Sequence, residues 1–354
     1  MDPWLLQTVE EDSPQPLVGI AKLAAHGESI RQGHLVEYFT LPTHAILNRC
    51  TSKRVPFAWT INPYRGCEFA CKYCYARYTH EFMEMRDGVD FERKIYVKQQ
   101  TAWLLRQELR KVKRGEEIAI GTATDPYQPA EKRFEITRGI LEELALHQGL
   151  QIGIVSKSEL ITRDIDLLQR VAEGNTLYIN LTITTVDTKL ARILEPRAPR
   201  PDLRLKAVRA LRQAGLRAGV ICAPVLPGIT DSPAALDALV RATKAADGKY
   251  IYANPLFLKP CSAKVFLPFL EKEFPHLVEE YRKRFEDRAF LGNAYARRIS
   301  ELMDRLRKKH GITREVTRRG DIGPLPPPAG QQLTLFEGAA KQMVSGHSRM
   351  RKIS

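Results

Sequence analysis

The feature that most constrains this chain is the stretch Gly66-Cys67-Glu68-Phe69-Ala70-Cys71-Lys72-Tyr73-Cys74-Tyr75, which sets three cysteines at the spacing C-x3-C-x2-C. Three thiolates this close in one loop can hold a metal centre. Structural zinc takes four ligands, commonly as paired C-x2-C arms. Iron–sulfur clusters take cysteine thiolates, and four of them fill a [4Fe–4S] cube. Three cysteines on a cube leave one iron open to a small ligand. Zinc with Cys50 as a distant fourth ligand, or three unconnected thiols, are the alternatives the spacing leaves open. Ahead of the loop, Phe57-Ala58-Trp59-Thr60-Ile61-Asn62 reads as a buried strand that ends at the cysteines.

From there strands and helices alternate. Ile118-Ala119-Ile120-Gly121 is an apolar run that follows a helical stretch at 102–113. Residues 136–147 carry apolar side chains at helical spacing, 150–155 form the next strand and 162–172 the next helix. Residues 177–183 alternate at period two, 204–214 are helical, 220–225 form a strand, 234–246 a helix and 249–253 the last strand. Short apolar strands alternating with amphipathic helices predict an α/β fold with a parallel sheet and right-handed crossovers. A partial (β/α)6 barrel, a doubly wound sheet and a full barrel all satisfy that pattern. Residues 1–52 read as an N-terminal extension, its first 15 residues acidic and expected to be disordered, with a strand candidate at Leu35-Val36-Glu37-Tyr38-Phe39. The core is expected over 53–260, a helical region over 261–310 that ends in a helix at 297–310, and a flexible tail over 311–354 that opens on a Pro- and Gly-rich linker.

The hydrophobic fraction of 44% suits a globular core, and no apolar run of about 18 residues predicts a membrane span. No basic region followed by an apolar stretch suggests a secretory leader. Six cysteines, three of them clustered, do not read as a disulfide framework, so a reducing cytoplasm is expected. The net charge of +14 and pI of about 9.5 favour a polyanionic partner such as nucleic acid.

The pattern C-x3-C-x-aromatic-C, with Tyr73 as the aromatic, resembles the signature of the radical S-adenosylmethionine (SAM) superfamily. That resemblance implies a partial (β/α)6 barrel, a [4Fe–4S] cluster on Cys67, Cys71 and Cys74, and SAM chelated by the open iron through its amino and carboxyl groups. It implies reductive cleavage of SAM to methionine and a 5′-deoxyadenosyl radical, with an electron donor such as flavodoxin or ferredoxin. Tyr73 would then stack on adenine, and Gly66 would let the backbone approach the inorganic sulfides. Remaining site residues are expected at the C-terminal ends of the strands. Thr122, Thr124 and Asp125 stand where the family has a Gly-Gly-Glu-like motif that holds the amino group of SAM. Ser156 and Lys157 follow the third strand, and an interior lysine calls for an anionic partner, here the SAM carboxylate. Thr182 and Thr184 share a face with Asn180 and suit ribose hydroxyls; Glu195 and Arg197 suit the nucleoside or the carboxylate.

The Thr-Asp-Pro, Ser-Lys-Ser and Leu-Glu-Pro-Arg elements are similar to a branch related to spore photoproduct lyases, which implies lyase-like DNA repair. Those lyases carry a hydrogen-donating cysteine near the end of strand two, where this chain has Gly121-Thr122-Ala123-Thr124. Cys222 and Cys261 are the candidates for that task, with buried small hydrophobes as the simpler reading. In the tail, Gln332-Leu333-Thr334-Leu335-Phe336 resembles the peptide by which bacterial DNA-processing enzymes bind the replication sliding clamp. The competing functions are a radical SAM enzyme that modifies RNA or protein, and a zinc-stabilised nucleic-acid-binding module without catalysis.

Overall fold

The computed structural model describes residues 17–312, apart from positions 34, 53, 86 and 287. The tail motif Gln332, Leu333, Leu335 and Phe336 lies outside the described residues. Eleven strands are present among those described: β1 (Ser29–Gln32), β2 (Glu37–Leu41), β3 (Leu47–Arg49), β4 (Trp59–Ile61), β5 (Tyr64–Arg65), β6 (Lys94–Lys98), β7 (Glu117–Ile120), β8 (Gln151–Ser156), β9 (Thr176–Thr182), β10 (Ala218–Val225) and β11 (Ile251–Pro255).

The main sheet has the order β11-β10-β9-β8-β7-β4-β3. From β4 to β11 every neighbouring pair is parallel, and β3 alone runs antiparallel at the edge of β4. The six parallel strands therefore advance in sequence order without reversing. A doubly wound sheet must reverse direction at its centre, so this sheet is a (β/α)6 barrel. It is a partial one, because β11 forms no pairs with β4 among the described residues.

Period-two alternation assigns each strand a helix-facing and an inward-facing set. Ile118 pairs with Ile152 and Ile152 with Leu177; Ile120 pairs with Ile154, Ile154 with Ile179, and Ile179 with Ala218. These residues are almost entirely buried and share one core with Leu141, Leu168, Leu211 and Leu239 of the helices. Each such aliphatic side chain contributes about 1.5–3 kcal/mol on burial. The inward set is polar and small. Asn180 donates Nδ2 to the Ile154 carbonyl (3.1 Å) and accepts from the hydroxyls of Tyr250 (3.0 Å) and Tyr252 (3.3 Å). Gly219 leaves room for the Tyr250 ring, which would lie 2.5 Å from a Cβ there. This plug fills the middle of the barrel and leaves the C-terminal strand ends as the open mouth.

The lead-in does more than pack on the barrel. β1, β2, β6 and β5 form a second sheet in that order, with β5 directly ahead of the cysteine loop. After β11 the helices Pro260–Glu273, Val278–Phe285 and Asn293–His310 place Phe266, Tyr281 and Ile299 in the barrel core. No helix among the described residues is long and apolar enough to cross a membrane.

Candidate active site

The cysteine loop is fixed by its backbone. Gly66 has φ +84°, and a Cβ there would sit 2.7 Å from the Lys94 carbonyl, so only glycine fits. The Gly66 carbonyl accepts from Thr124 Oγ1 (2.6 Å) and Gln128 Nε2 (3.1 Å). Cys67 N donates to Phe91 O (2.9 Å), and Lys72 N to Leu194 O (2.9 Å). Glu68 accepts from Ala130 N (2.8 Å) and the Tyr38 hydroxyl (3.0 Å). The Cys71 carbonyl accepts from Arg77 (3.0 Å), and the Cys74 carbonyl from Ser262 Oγ (2.9 Å). A loop tied on every side presents its side chains in one arrangement.

The electrostatics of the three thiols describe what that arrangement suits. Burial pushes the Cys71 thiol up to about 12; Lys157 pulls it down, while Glu195 and Cys74 push it further up. Burial also raises Cys67, as do Asp125 and the two other cysteines. Cys67 and Cys71 are thus costly to ionise in the protein alone, and a bound metal centre would supply the positive charge that favours their thiolates. Among the described residues no group of three or more His, Cys, Asp or Glu side chains is arranged to hold a single metal ion. Three thiolates suit a [4Fe–4S] cube with one open iron better than structural zinc, which takes four protein ligands.

Lys157 stands at the end of β8 beside this loop. Asp125 places it: its carboxylate accepts from Ser156 Oγ (2.7 Å), Lys157 N (2.7 Å) and Tyr127 N (3.0 Å), which joins the β7 and β8 ends. Burial alone would lower the Lys157 pKa, yet it is held above its ordinary value by Cys71 and Glu195. Its Nζ lies 5.8 Å from the centre of the Tyr73 ring, and it forms no hydrogen bond or ion pair with a described residue.

Beneath Tyr73 is a closed network. The Tyr73 hydroxyl donates to Glu195, and Glu195 pairs with Arg204. Arg204 also donates to Pro199 O (2.8 Å) and Thr182 O (2.9 Å), and Thr184 Oγ1 lies 3.4 Å from Glu195. Burial works against the Glu195 charge, but Arg204 and Lys157 outweigh it and hold the carboxyl below its usual range.

The structure thus sorts the expected site residues. Lys157 and the three cysteines are brought together. Thr124, Asp125, Ser156 and Glu195 are occupied in holding the loop and the strand ends. Thr122 receives the Asn62 amide (3.3 Å) and gives its carbonyl to the Tyr75 hydroxyl. Thr182 and Thr184 are buried next to Arg204 and Glu195. Arg197 braces the loop from outside, with its N on Phe69 O (3.3 Å) and its guanidinium 3.7 Å from Glu92. Cys222 is 0% exposed, shares the strand phase of Ala218 and Val220, and lies against the Thr184 carbonyl (3.7 Å). A thiol so enclosed has no surface to offer a substrate, and the structure does not bring it to the mouth. Cys261 opens the helix behind Cys74, with its sulfur 3.7 Å from Ser262 Oγ.

Sequence reasoning missed Arg204 and Gln128. Arg204 shares a helix face with Ala207, Val208 and Leu211, and a charge inside an apolar stripe was a signal that it needed a buried partner. Gln128 follows the Asp-Pro turn and carries no such mark.

This chain belongs to the radical SAM superfamily, whose profile matches residues 61–239. That family is one of enzymes that use a [4Fe–4S] cluster and SAM. Within it, the chain is 36% identical over 274 residues to an uncharacterized protein of Mycobacterium tuberculosis, covering 77% of this chain and 78% of that one. It is 27% identical over 257 residues to an uncharacterized protein of Methanocaldococcus jannaschii, covering 72% and 89%. In fold it is similar to a mutant spore photoproduct lyase with bound AdoMet and dinucleoside spore photoproduct, at TM-score 0.58 and 16% identity over 77% of this chain and 79% of that chain.

Proposed function

We propose that this chain binds a [4Fe–4S] cluster through Cys67, Cys71 and Cys74, cleaves SAM reductively, and uses the resulting radical on DNA in a lyase-like repair reaction. The observation that carries the reading is Lys157: an ammonium at the barrel mouth, near the cysteine loop, that feels the Glu195 charge but makes no direct hydrogen bond or ion pair with a described residue. A SAM carboxylate would complete it, with a charge-assisted bond of about 1.5–3 kcal/mol. When bound, the two cofactors supply a carbon-centred radical able to take hydrogen from an unreactive carbon. The protein's own part is placement. Asp125 fixes the Lys157 backbone, and Glu195 with Arg204 holds Tyr73 where an adenine could meet the ring. The Asn180–Tyr250–Tyr252 plug closes the barrel below the site.

A DNA substrate is supported by the net charge of +14 and by the fold shared with spore photoproduct lyase. The clamp-like peptide Gln332-Leu333-Thr334-Leu335-Phe336 adds to it. A flavodoxin or ferredoxin would serve as reductant. The test is 5′-deoxyadenosine release by the anaerobically reconstituted, reduced holoprotein with ultraviolet-irradiated DNA, intact DNA, RNA and peptide in parallel. Release stimulated by DNA above all others supports the reading; stimulation by RNA or peptide alone overturns the DNA assignment.

A further inference from the structure

Two more basic residues lie outside this site with no carboxylate of a described residue bonded to them. Lys98, in β6, is 5% exposed and forms no hydrogen bond or ion pair with a described residue. The register Arg65↔Tyr96 puts Lys98 on the same face of the small sheet as Arg65. Arg65 reaches the Thr79 carbonyl at 3.4 Å, while its Nε is buried and unpartnered. The carboxylate that acts on Lys98 is Glu108, whose oxygens are taken by Ile46 N (2.8 Å), Leu47 N (2.9 Å) and Lys111 (2.9 Å). Burial and then the Arg65 charge lower the Lys98 pKa to about 7, against a partial lift from Glu108. A bound anion would favour the charged form of Lys98 and give the buried Arg65 Nε a partner.

An aromatic shelf adjoins the pair. Tyr78 is close enough for Arg65 to pull on its hydroxyl pKa. Tyr75 lies alongside Tyr78 at 6.4 Å, and Phe82 meets it edge-on at 5.8 Å. Tyr75 and Phe82 are 39% and 42% exposed. Lys259 holds its ammonium 3.9 Å above the Tyr78 ring. The shelf begins one residue after Cys74, and the Tyr75 hydroxyl ties it to the Thr122 carbonyl at the barrel mouth.

We infer that Arg65 and Lys98 bind one phosphate of a single-stranded nucleic acid whose neighbouring bases stack on Tyr75 and Phe82, so that the strand is led to the cysteine loop. The guanidinium fork suits phosphate oxygens, and exposed rings beside cations form the platform that unpaired bases use. Paired bases keep their faces covered, so a duplex would gain the phosphate contact without the stacking. The inference rests on the reading that the substrate is nucleic acid and names its state.

The experiment is fluorescence anisotropy of a labelled ten-nucleotide single strand, and of its duplex, with the cluster-loaded holoprotein in the absence of SAM. The single strand should bind more tightly than the duplex. Lys98→Met should weaken single-strand binding about tenfold and reduce the slope of log K against log salt by about 0.7, the value for one phosphate on a single strand. Phe82→Ala, at an exposed position that does not endanger folding, should weaken it by about fivefold or more. Lys98→Arg should keep the salt slope. Unchanged affinity and slope in both Lys98→Met and Phe82→Ala overturns the site. So does a Lys98→Met variant that loses affinity for reduced flavodoxin and keeps it for the strand, since the surface would then dock the electron donor. Because binding is read without turnover, strand binding without DNA-stimulated 5′-deoxyadenosine would keep this site and remove the DNA-repair reading; the reverse result would remove the site alone.

Discussion

Two buried charge clusters lie beside the cysteine loop and differ in completeness. Glu195 and Arg204 form an ion pair whose other valences go to Tyr73, Thr182 O and Pro199 O. Arg65 and Lys98 share one sheet face, and no carboxylate of a described residue is bonded to either; the oxygens of Glu108, which acts on Lys98, are taken by Ile46 N, Leu47 N and Lys111. The first is a finished piece of architecture: it holds the cysteine-loop tyrosine and needs nothing from outside. The second has no bonded carboxylate among the described residues. Lys157 belongs with the second kind, since its charge is sustained by Cys71 and Glu195 but its ammonium has no bonded partner. In this molecule complete networks position the site, and incomplete ones mark where ligands are expected.

The largest effects should separate the two clusters directly. Arg204→Met leaves Glu195 buried without its counter-charge and should cost about 3–5 kcal/mol of stability. Lys98→Met removes a buried amine that bonds no carboxylate and should cost little or stabilise the protein. Urea unfolding of the two variants, with nucleic acid absent, reads the difference; equal losses would break the distinction.

A smaller effect concerns acid. His80 is 1% exposed, sits edge-on to the Phe91 and Tyr96 rings, and meets the Lys94 carbonyl at 3.1 Å through Nε2. Burial lowers its pKa from 6.5 to about 4, with the Lys94 carbonyl opposing and the Arg65 charge assisting. Because the unfolded chain takes up the proton first, the stability this group confers is complete above pH 6.5. It is lost progressively toward pH 4, by about 3 kcal/mol in all. Unfolding free energies at pH 7.5 and 5 should therefore diverge more in the wild type than in His80→Phe. Equal pH slopes would place the proton elsewhere.

The cysteine loop and the alternation of strands and helices were legible because both are local, while the order of the strands in the sheet was not. A thiol spacing and an alternation of apolar runs need no knowledge of distant partners. The second sheet was not legible: Lys94-Ile95-Tyr96-Val97-Lys98 pairs with segments more than 25 residues away, and its flanking lysines read as surface. The roles of Asp125 and Glu195 were hidden for the same reason. Sequence position put them at the strand ends, but only the fold reveals that backbone amides and Arg204 have taken up their oxygens. Cys222 followed from proximity to a strand end; its burial, set by its phase on the strand, was not legible there.

The most direct test of the account is SAM binding to the cluster-loaded Lys157→Met protein by anaerobic calorimetry, with the iron and sulfide content matched to the wild type. An ammonium that awaits the SAM carboxylate predicts an affinity weaker by about tenfold or more. Unchanged SAM affinity at equal cluster content would contradict it.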